Sequence, residues 1–388
     1  MKKHKFVVFT GTRADYGILF WLMKDLQSCG EVDLQLVVSG SHLSTQHGST
    51  YKFIENDGFS ITKKVDMLLA GETDSSTAKS VAIAILGYTE ALGAIQADRV
   101  IVLGDRYEAF AMAQAAFLMK VPLVHLHGGE VTEGANDERM RHAITKLSDV
   151  HFTSTERHRQ RVIQLGETPA SVFNVGAPGL EHIHRSSLPG RSELSNTFKF
   201  NFQNPYIVIS FHPVTNSDDS GAGELRALLD ACGKLKEVNF VVSMSNADAD
   251  HSIINELLQQ FADAHDVKTL LQSSFGHFNF LAVLQNAELV LGNSSSGIIE
   301  APSLNTISVD VGIRQQGRER AKSVLAVGSD LDAIDEMIEK ALKLVPCESY
   351  FDNPYDKGGS SALIIEHLLA YQTGLVKRFH DVPMECVP

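Results

Sequence analysis

The sequence predicts an α/β protein made of two doubly wound, parallel-sheet domains that face each other across a cleft. Three observations predict it. Short apolar runs alternate with helix-length amphipathic segments along most of the chain, the pattern of repeated βα units. The runs form two similar series on either side of a polar seam at 186–205. Polar, proton-active residues follow directly after several runs, where open parallel sheets hold their ligands.

The elements follow in chain order. In the first series, strands are expected at 6–9, 34–38, 100–103, 123–127 and 151–153, each apolar and bounded by polar turns. Amphipathic helices are expected at 16–27, 80–94 and 107–118. The seam, SSLPGRSELSNTFKFNFQNP, is polar and broken by Pro189, Gly190 and Pro205, as a connection between domains is. Second-series strands are expected at 206–210, 240–243, 269–271, 289–291 and 306–309, and a last helix at 360–371 contains LIIEHLLAY. The expected boundaries are 1–185 for an N-terminal domain and 200–365 for a C-terminal one. Residues 366–388 are expected as a helix and tail packing back on the first domain.

Composition bounds the function. The 388 residues are 44% hydrophobic and 21% charged, enough for two or three domains with proper cores. A net charge of −13 argues against a nucleic-acid partner or an anionic membrane surface, so any bound phosphate must meet local positive potential. Cys29, Cys232, Cys347 and Cys386 lie far apart, with no spacing that suggests a disulfide framework or a zinc ribbon. The start, MKKHKFVVFTG, stops its apolar run at Thr10-Gly11, short of the roughly 7–15 residues of a signal peptide. No other run approaches the roughly 18 that span a membrane. A cytoplasmic location is expected.

The most informative stretch is NAELVLGNSSSGIIEAP, residues 286–302. An apolar run, Leu289-Val290-Leu291, breaks at Gly292-Asn293, passes Ser294, Ser295, Ser296 and Gly297, and resumes as Ile298-Ile299-Glu300-Ala301. A strand passing through such a turn into a helix aims backbone N–H groups and hydroxyls at one point, which suits a phosphate. The plainer alternative is an ordinary turn in which Ser296 caps the helix.

Other strand exits carry chemistry of their own. After the first strand comes Thr10-Gly11-Thr12-Arg13-Ala14-Asp15, in which Arg13 either forks onto a diphosphate or pairs with Asp15. After 100–103 comes Gly104-Asp105-Arg106, a carboxylate at the exit. After Leu123-Val124 comes His125-Leu126-His127-Gly128-Gly129-Glu130, with both histidines expected on one strand face. After 206–210 comes Phe211-His212-Pro213, a histidine held extended by the proline behind it. Each has a structural alternative, since histidines at strand ends are usually satisfied polar residues and aspartates there usually cap helices. A metal at His125 and His127 is disfavoured, because no third ligand falls at a recognisable spacing. What favours function is that both halves carry such groups, as a nucleotide-linked substrate would require.

At this point the motifs resemble a family. TGTRADYG, VLGDRYE, HLHGGEVTEGANDERMRHAITK, NVGAPG, HPVTN, SNADAD, GNSSSGIIEAP and GIRQQGRERAKSV, in this order from residue 10 to about 325, resemble the hydrolysing UDP-N-acetylglucosamine 2-epimerases of sialic-acid-type pathways. The resemblance implies two Rossmann-like domains in the glycosyltransferase type-B fold, with the active site between them. It implies a UDP-sugar substrate, a homodimer, and no cofactor or metal. Related non-hydrolysing epimerases carry His-Arg-Arg-Glu-Asn where this chain has His212-Pro213-Val214-Thr215-Asn216, which favours the hydrolysing branch.

The reaction so implied eliminates UDP from C1 with loss of the C2 proton, giving a 2-acetamidoglucal. Water then adds, releasing N-acetylmannosamine. It needs a diphosphate clamp, a base at C2 and an acid–base group for water. Arg13, Ser294, Ser295, Ser296, Gly297, Glu300 and Arg318 suit the UDP side. Phe275, Gly276 and His277 align with the uracil-contacting turn, although the aromatics suit a core equally. Asp105, Glu130, Asp137, His212 and His127 are the catalytic candidates, and Arg106, Arg141 and His142 lie on the sugar side. Arg141 and His142, about one helical turn after Asp137, are placed to hold it. Some relatives have glutamate where this chain has His127, so the role passes either to Glu130 or to His127 as an imidazole. The following loop differs in length, leaving Asp137 and Glu138 as alternatives. Close relatives act on UDP-2,4-diacetamido-2,4,6-trideoxyglucose, and the sequence does not separate the two sugars. A UDP-sugar glycosyltransferase and a silent nucleotide-sugar sensor are the competing classes.

Overall fold

In the computed structural model of the chain, the described residues are 3–46, 48–69, 73–132, 137–214, 219–245, 251–265, 268–371 and 376–382. Elements of the first half are β1 (His4–Thr10), α1 (Arg13–Ser28), β2 (Val32–Ser39), α2 (Tyr51–Asn56), β3 (Ile61–Val65), α3 (Asp74–Ile95), β4 (Arg99–Leu103) and α4 (Tyr107–Leu118). They continue through β5 (Leu123–Leu126), α5 (Asp137–Leu147), β6 (Val150–Thr153), α6 (Glu156–Gln164), β7 (Val172–Asn174), α7 (Glu181–Arg185) and α8 (Arg191–Phe198). The second half runs β8 (Tyr206–Ser210), α9 (Ala222–Gly233), β9 (Asn239–Ser243), α10 (His251–Ala264), β10 (Thr269–Gln272), α11 (His277–Gln285) and β11 (Leu289–Gly292). It closes with α12 (Ser296–Ser303), β12 (Ser308–Val311), β13 (Val324–Val327), α13 (Leu331–Lys343) and α14 (Ser360–Ala370).

Two units result. The first comprises 1–130, 137–181 and 357–388; the second comprises 131–136 and 182–356. The first holds a parallel sheet ordered β3-β2-β1-β4-β5-β6-β7 and the second one ordered β10-β9-β8-β11-β12-β13. Both are doubly wound, as the alternation of apolar runs and helices predicts. Strand order reverses between β1 and β4 in one and between β8 and β11 in the other. Such switch points part the loops at the strands' carboxyl ends and make the natural ligand crevice of an open sheet.

Burial on both faces explains the near-continuous apolar strands. In β1, Phe6 and Val8 join the core that holds Leu19, Leu22, Leu36 and Val38. Val7 and Phe9 point the other way, into the core with Tyr88, Leu92 and Met112. Ile364 and Leu368 of α14 extend the first of these cores, and Arg99 donates to the carbonyl of Leu368 at 2.8 Å. The chain thus returns to the first unit at Lys357, ahead of its last helix.

Several elements differ from expectation. β5 ends at Leu126, so His127 is not on a strand face with His125. Two following glycines let the chain turn at once. β12 begins at Ser308, two residues beyond the expected start at Thr306, because Thr306 is turned inward to bond the carbonyl of Leu284. β3, β7 and β13 were not anticipated: Lys63 and Lys64 make β3 polar, and β7 is only VFN. The seam carries helix α8, with Leu194 buried. α3 starts at Asp74, where Thr73 caps it by accepting the N–H of Ser76 at 3.2 Å. It is the one helix among the described residues long and apolar enough to cross a membrane by length and composition. Here it packs its buried side, with Ala84, Tyr88 and Leu92, into the first unit's core.

Candidate functional site

At the exit of β1, Thr12 caps α1 and Asp15 completes a capping box. The Asp15 carboxylate accepts the N–H groups of Gly11 at 3.2 Å and Thr12 at 3.1 Å, and burial pushes it up to about 6 against the pull of Arg106. Asp15 is thus committed to the turn. Arg13, on the exposed first turn of α1, lays its guanidinium 5.3 Å from the centre of the Phe53 ring. At the exit of β4, Arg106 approaches Glu108 at 3.4 Å.

His125 is structural. Its Nε2–H donates to the carbonyl of Gly104 at 2.7 Å and its Nδ1 meets the Thr145 hydroxyl at 3.1 Å. Burial lowers it to about 3, so it stays neutral. His127 is different. Its φ is 64°, a left-handed conformation that costs a side chain about 1 kcal/mol or more. Glycine at 129 permits the tight continuation, since a Cβ there would come within 2.3 Å of the His158 carbonyl oxygen. Nδ1 of His127 lies 2.6 Å from Oε1 of the buried Glu130. That oxygen also accepts from the Ser154 hydroxyl at 2.8 Å, and Ser154 lies 2.9 Å from Nδ1 of His158.

Arg141, buried on α5, ties this rim together. It pairs with the Asp105 carboxylate, donates to Glu138 at 2.9 Å, and donates to the carbonyl of Glu130 at 3.0 Å. His142 meets the other oxygen of Glu138 at 3.0 Å. Glu138 therefore occupies the place between Arg141 and His142 that the spacing suggested for Asp137, which is the first residue of α5. Asp105, His127, Glu130, Glu138, Arg141 and His142 thus form one connected group at β4, β5 and α5 (Glu133, Gly134, Ala135 and Asn136 of the same motif lie outside the described residues).

In the second unit the exits of β8 and β11 are stitched together by Asn293. Its side chain accepts the N–H of His212 at 2.7 Å and donates to the His212 carbonyl at 2.8 Å. Gly292 has φ 135°, and a Cβ there would sit 2.0 Å from the carbonyl oxygen of Ser210, so only glycine allows β8 and β11 so close. Nδ1 of His212 lies 3.3 Å from the Ser245 hydroxyl. Arg314 donates to the carbonyls of Pro213 and Asn293, each at 3.2 Å, and Gln315 to that of Asn293 at 2.8 Å.

The serine loop then enters α12. Ser295 is the N-cap residue and makes no side-chain cap, so Ser296 is not the capping group. Ser294 is buried and its hydroxyl accepts weakly from the Ser296 N–H at 3.4 Å. Beneath the loop a small cavity is lined by Ser210, Gly292, Ser294, Gly297, Ser308 and Asp310. Burial pushes Asp310 up, while Arg320, Arg318 and Arg314 pull it down. Three arginines of one motif thus supply the local positive potential that the acidic chain lacks globally. Glu300 follows in α12. Phe275 is core, packed on Phe198 at 5.0 Å, while Gly276 takes φ 73° and the His277 ring meets His182 edge-on at 4.5 Å. Thr215, Asn216 and residues 246–250 lie outside the described residues.

Sequence reading missed Ser154, His158, Asn293, Arg314 and Gln315 as members of these groups. Asn293 and Arg314 lie inside motifs already singled out, so their signal was present. Ser154 and His158 gave none, because only the pairing of β5 with β6 brings them to Glu130.

Two Rossmann-like domains with such switch points define a glycosyltransferase-B-like α/β protein. Within that class the chain belongs to the UDP-N-acetylglucosamine 2-epimerase family, whose profile matches residues 24–369. It is 37% identical over 395 residues to the polysialic acid biosynthesis protein P7 of Escherichia coli, covering 100% of this chain and 99% of that one. It is 37% identical over 357 residues to the hydrolysing UDP-N,N'-diacetylbacillosamine 2-epimerase of Legionella pneumophila, covering 92% and 93%. The crystal structure of a Neisseria meningitidis UDP-GlcNAc 2-epimerase bound to UDP-GlcNAc matches with a TM-score of 0.78 at 19% identity, over 95% of this chain and 100% of that one. At that identity the match shows the fold.

Proposed function

We propose that the protein is a hydrolysing 2-epimerase that converts a UDP-linked 2-acetamido sugar to UDP and the free 2-epimer. The observation that carries this reading is the group around Arg141, in which Asp105, Glu138, Glu130 and His127 converge at the carboxyl ends of β4 and β5. A protein that only binds a nucleotide sugar has no use for so many proton-active groups. Elimination and hydration at C1 and C2 need them.

The roles follow from chemistry. Arg13, Ser294–Ser296, Gly297, Glu300 and Arg318 take the UDP, with backbone at Gly276 and His277 beside the base. A diphosphate leaving group needs its developing charge met by such donors. Asp105, Glu130, His127, Asp137 and His212 carry the proton transfers, and Arg106, Arg141 and His142 hold the sugar or the carboxylates that act on it. Of the two substrates, the diacetylated trideoxy sugar is favoured by the Legionella relative's name, and UDP-N-acetylglucosamine by the family's. We further read the functional form as a homodimer, supported by exposed apolar side chains on α3 and α4.

The test mixes the protein with each UDP-sugar alone, in deuterium oxide. Free UDP and the 2-epimer carrying one deuterium at C2 are expected. Product without deuterium means plain hydrolysis, and no product without an added acceptor means a transferase or a sensor.

A further inference from the structure

At the exit of β5 the chain keeps a histidine in a conformation that its side chain disfavours, φ 64°. Nε2 of His127 is buried and has no hydrogen-bond partner among the described residues. Its other ring nitrogen is fixed 2.6 Å from Glu130 Oε1, which also accepts from Ser154 at 2.8 Å. Ser154 is itself backed by Nδ1 of His158. The Ser154 hydroxyl's hydrogen bond favours the ionised carboxylate, and an ionised carboxylate can only accept. The shared proton therefore sits on Nδ1 of His127, leaving a lone pair on Nε2.

The carboxylates around it are otherwise engaged. Asp105 is paired with Arg141, and Glu138 with both Arg141 and His142. A carboxylate held by a cation is a weakened base. Strain retained at a turn, with a buried acceptor left over, is what a working group costs and a packing group avoids.

We propose that His127, oriented by Glu130, is the base that removes the C2 proton of the UDP-sugar. The inference rests on the epimerase reading above and assigns one of its steps. The C2–H bond breaks, its proton goes to Nε2, and its electron pair forms the C1=C2 double bond. The C1–O bond breaks and its pair leaves on UDP. The Glu130 carboxylate stabilises the resulting imidazolium, which gives its proton to solvent before the next turnover. Glu130 is a positioning residue that acts through His127.

The positive φ supplies an unusually clean test. Glycine takes that conformation without strain, so His127→Gly should keep or raise the melting temperature. Its kcat for UDP-sugar should fall by about 100-fold or more with KM little changed, and added imidazole should restore part of the loss. Supplied 2-acetamidoglucal should still be hydrated by this variant. Asparagine also tolerates left-handed backbone, so His127→Asn repeats the test with a side chain present. In nitrogen-15 spectra, wild-type His127 should carry its proton on Nδ1, and Glu130→Gln should lose that preference together with kcat. Wild-type turnover with an unimpaired His127→Gly overturns the inference alone. So does a variant that still releases UDP but cannot hydrate the glucal, or a wild-type proton on Nε2. A wild-type protein that releases no UDP from either sugar overturns the epimerase reading, and this step with it.

Discussion

Arg141 sets the charge balance of the first unit's rim. Its buried guanidinium faces Asp105 and Glu138, so removing it leaves two carboxylates crowded without a counter-charge. Arg141→Met should destabilise the protein by about 3 kcal/mol, read by chemical denaturation, and an unchanged midpoint would show the pairing to be energetically idle. Asp105→Asn keeps the shape and should cost less than about 1 kcal/mol of stability while lowering turnover about 100-fold; His212→Ala should show a comparable loss with UDP still bound. Arg13→Ala separates binding from chemistry, because its side chain is exposed and rests on Phe53. UDP affinity should fall by about 10- to 100-fold, and an unaltered dissociation constant by calorimetry would remove Arg13 from the clamp. At this scale the sequence offers candidate residues but not what they touch. Helical spacing cannot tell Asp137 from Glu138 as the partner of Arg141 when the loop before the helix has an unknown path.

Elements were legible wherever burial on two faces writes an apolar run. β8 and α4 have the expected limits, and most other strands differ only at their ends. Period-two alternation does not say where a strand stops, which is why His127 was paired in expectation with His125. Short or polar edge strands such as β3 and β7 carry too little apolar pattern to stand out. The tail after α14 was expected against the first domain, but no residue pattern pointed to its contacts, which are specific. Lys377 reaches the buried Glu167 at 2.8 Å, beside Lys146 at 2.5 Å and His151 at 3.0 Å, and the Phe379 ring covers Gly166. Burial works against the Glu167 charge, but the bonds from His151, Lys146 and Lys377 prevail and hold it down at about 2. A carboxylate lowered in the folded state stabilises at pH above its ordinary value near 4.5 and loses that contribution as pH falls towards 2. Glu167→Gln should therefore lower the melting temperature at neutral pH and flatten its acid dependence between about 4.5 and 2. A variant that keeps the wild-type acid profile would show that the tail's ion pairs do not anchor it.

At the level of the whole chain, two sheets packed on both faces account for the apolar cores, yet large apolar side chains stay exposed on two helices. On α3 and α4, which pack together in the first unit, Leu86 is 70% exposed, Leu118 69% and Phe117 53%, with Ile83 beside them. Single exposed apolar side chains are common, but several large ones on one pair of helices mark an interaction surface. The acidic net charge of −13 disfavours nucleic acid as its partner, and closed two-fold pairs are the commonest assembly of a single chain. The expected occupant is the same face of a second copy, with roughly 800 Å² covered on each. Light scattering should then give a mass near twice the 42.4 kDa of one chain at micromolar concentration. Leu86→Glu with Leu118→Glu should shift it towards the monomer, since each introduced charge would be desolvated against its counterpart in the pair. Neither residue lies in the cores, so the variant's monomer should melt close to the temperature of an isolated wild-type chain. A wild-type mass of one chain, or a double variant that still dimerises, would place the apolar face outside any two-fold contact.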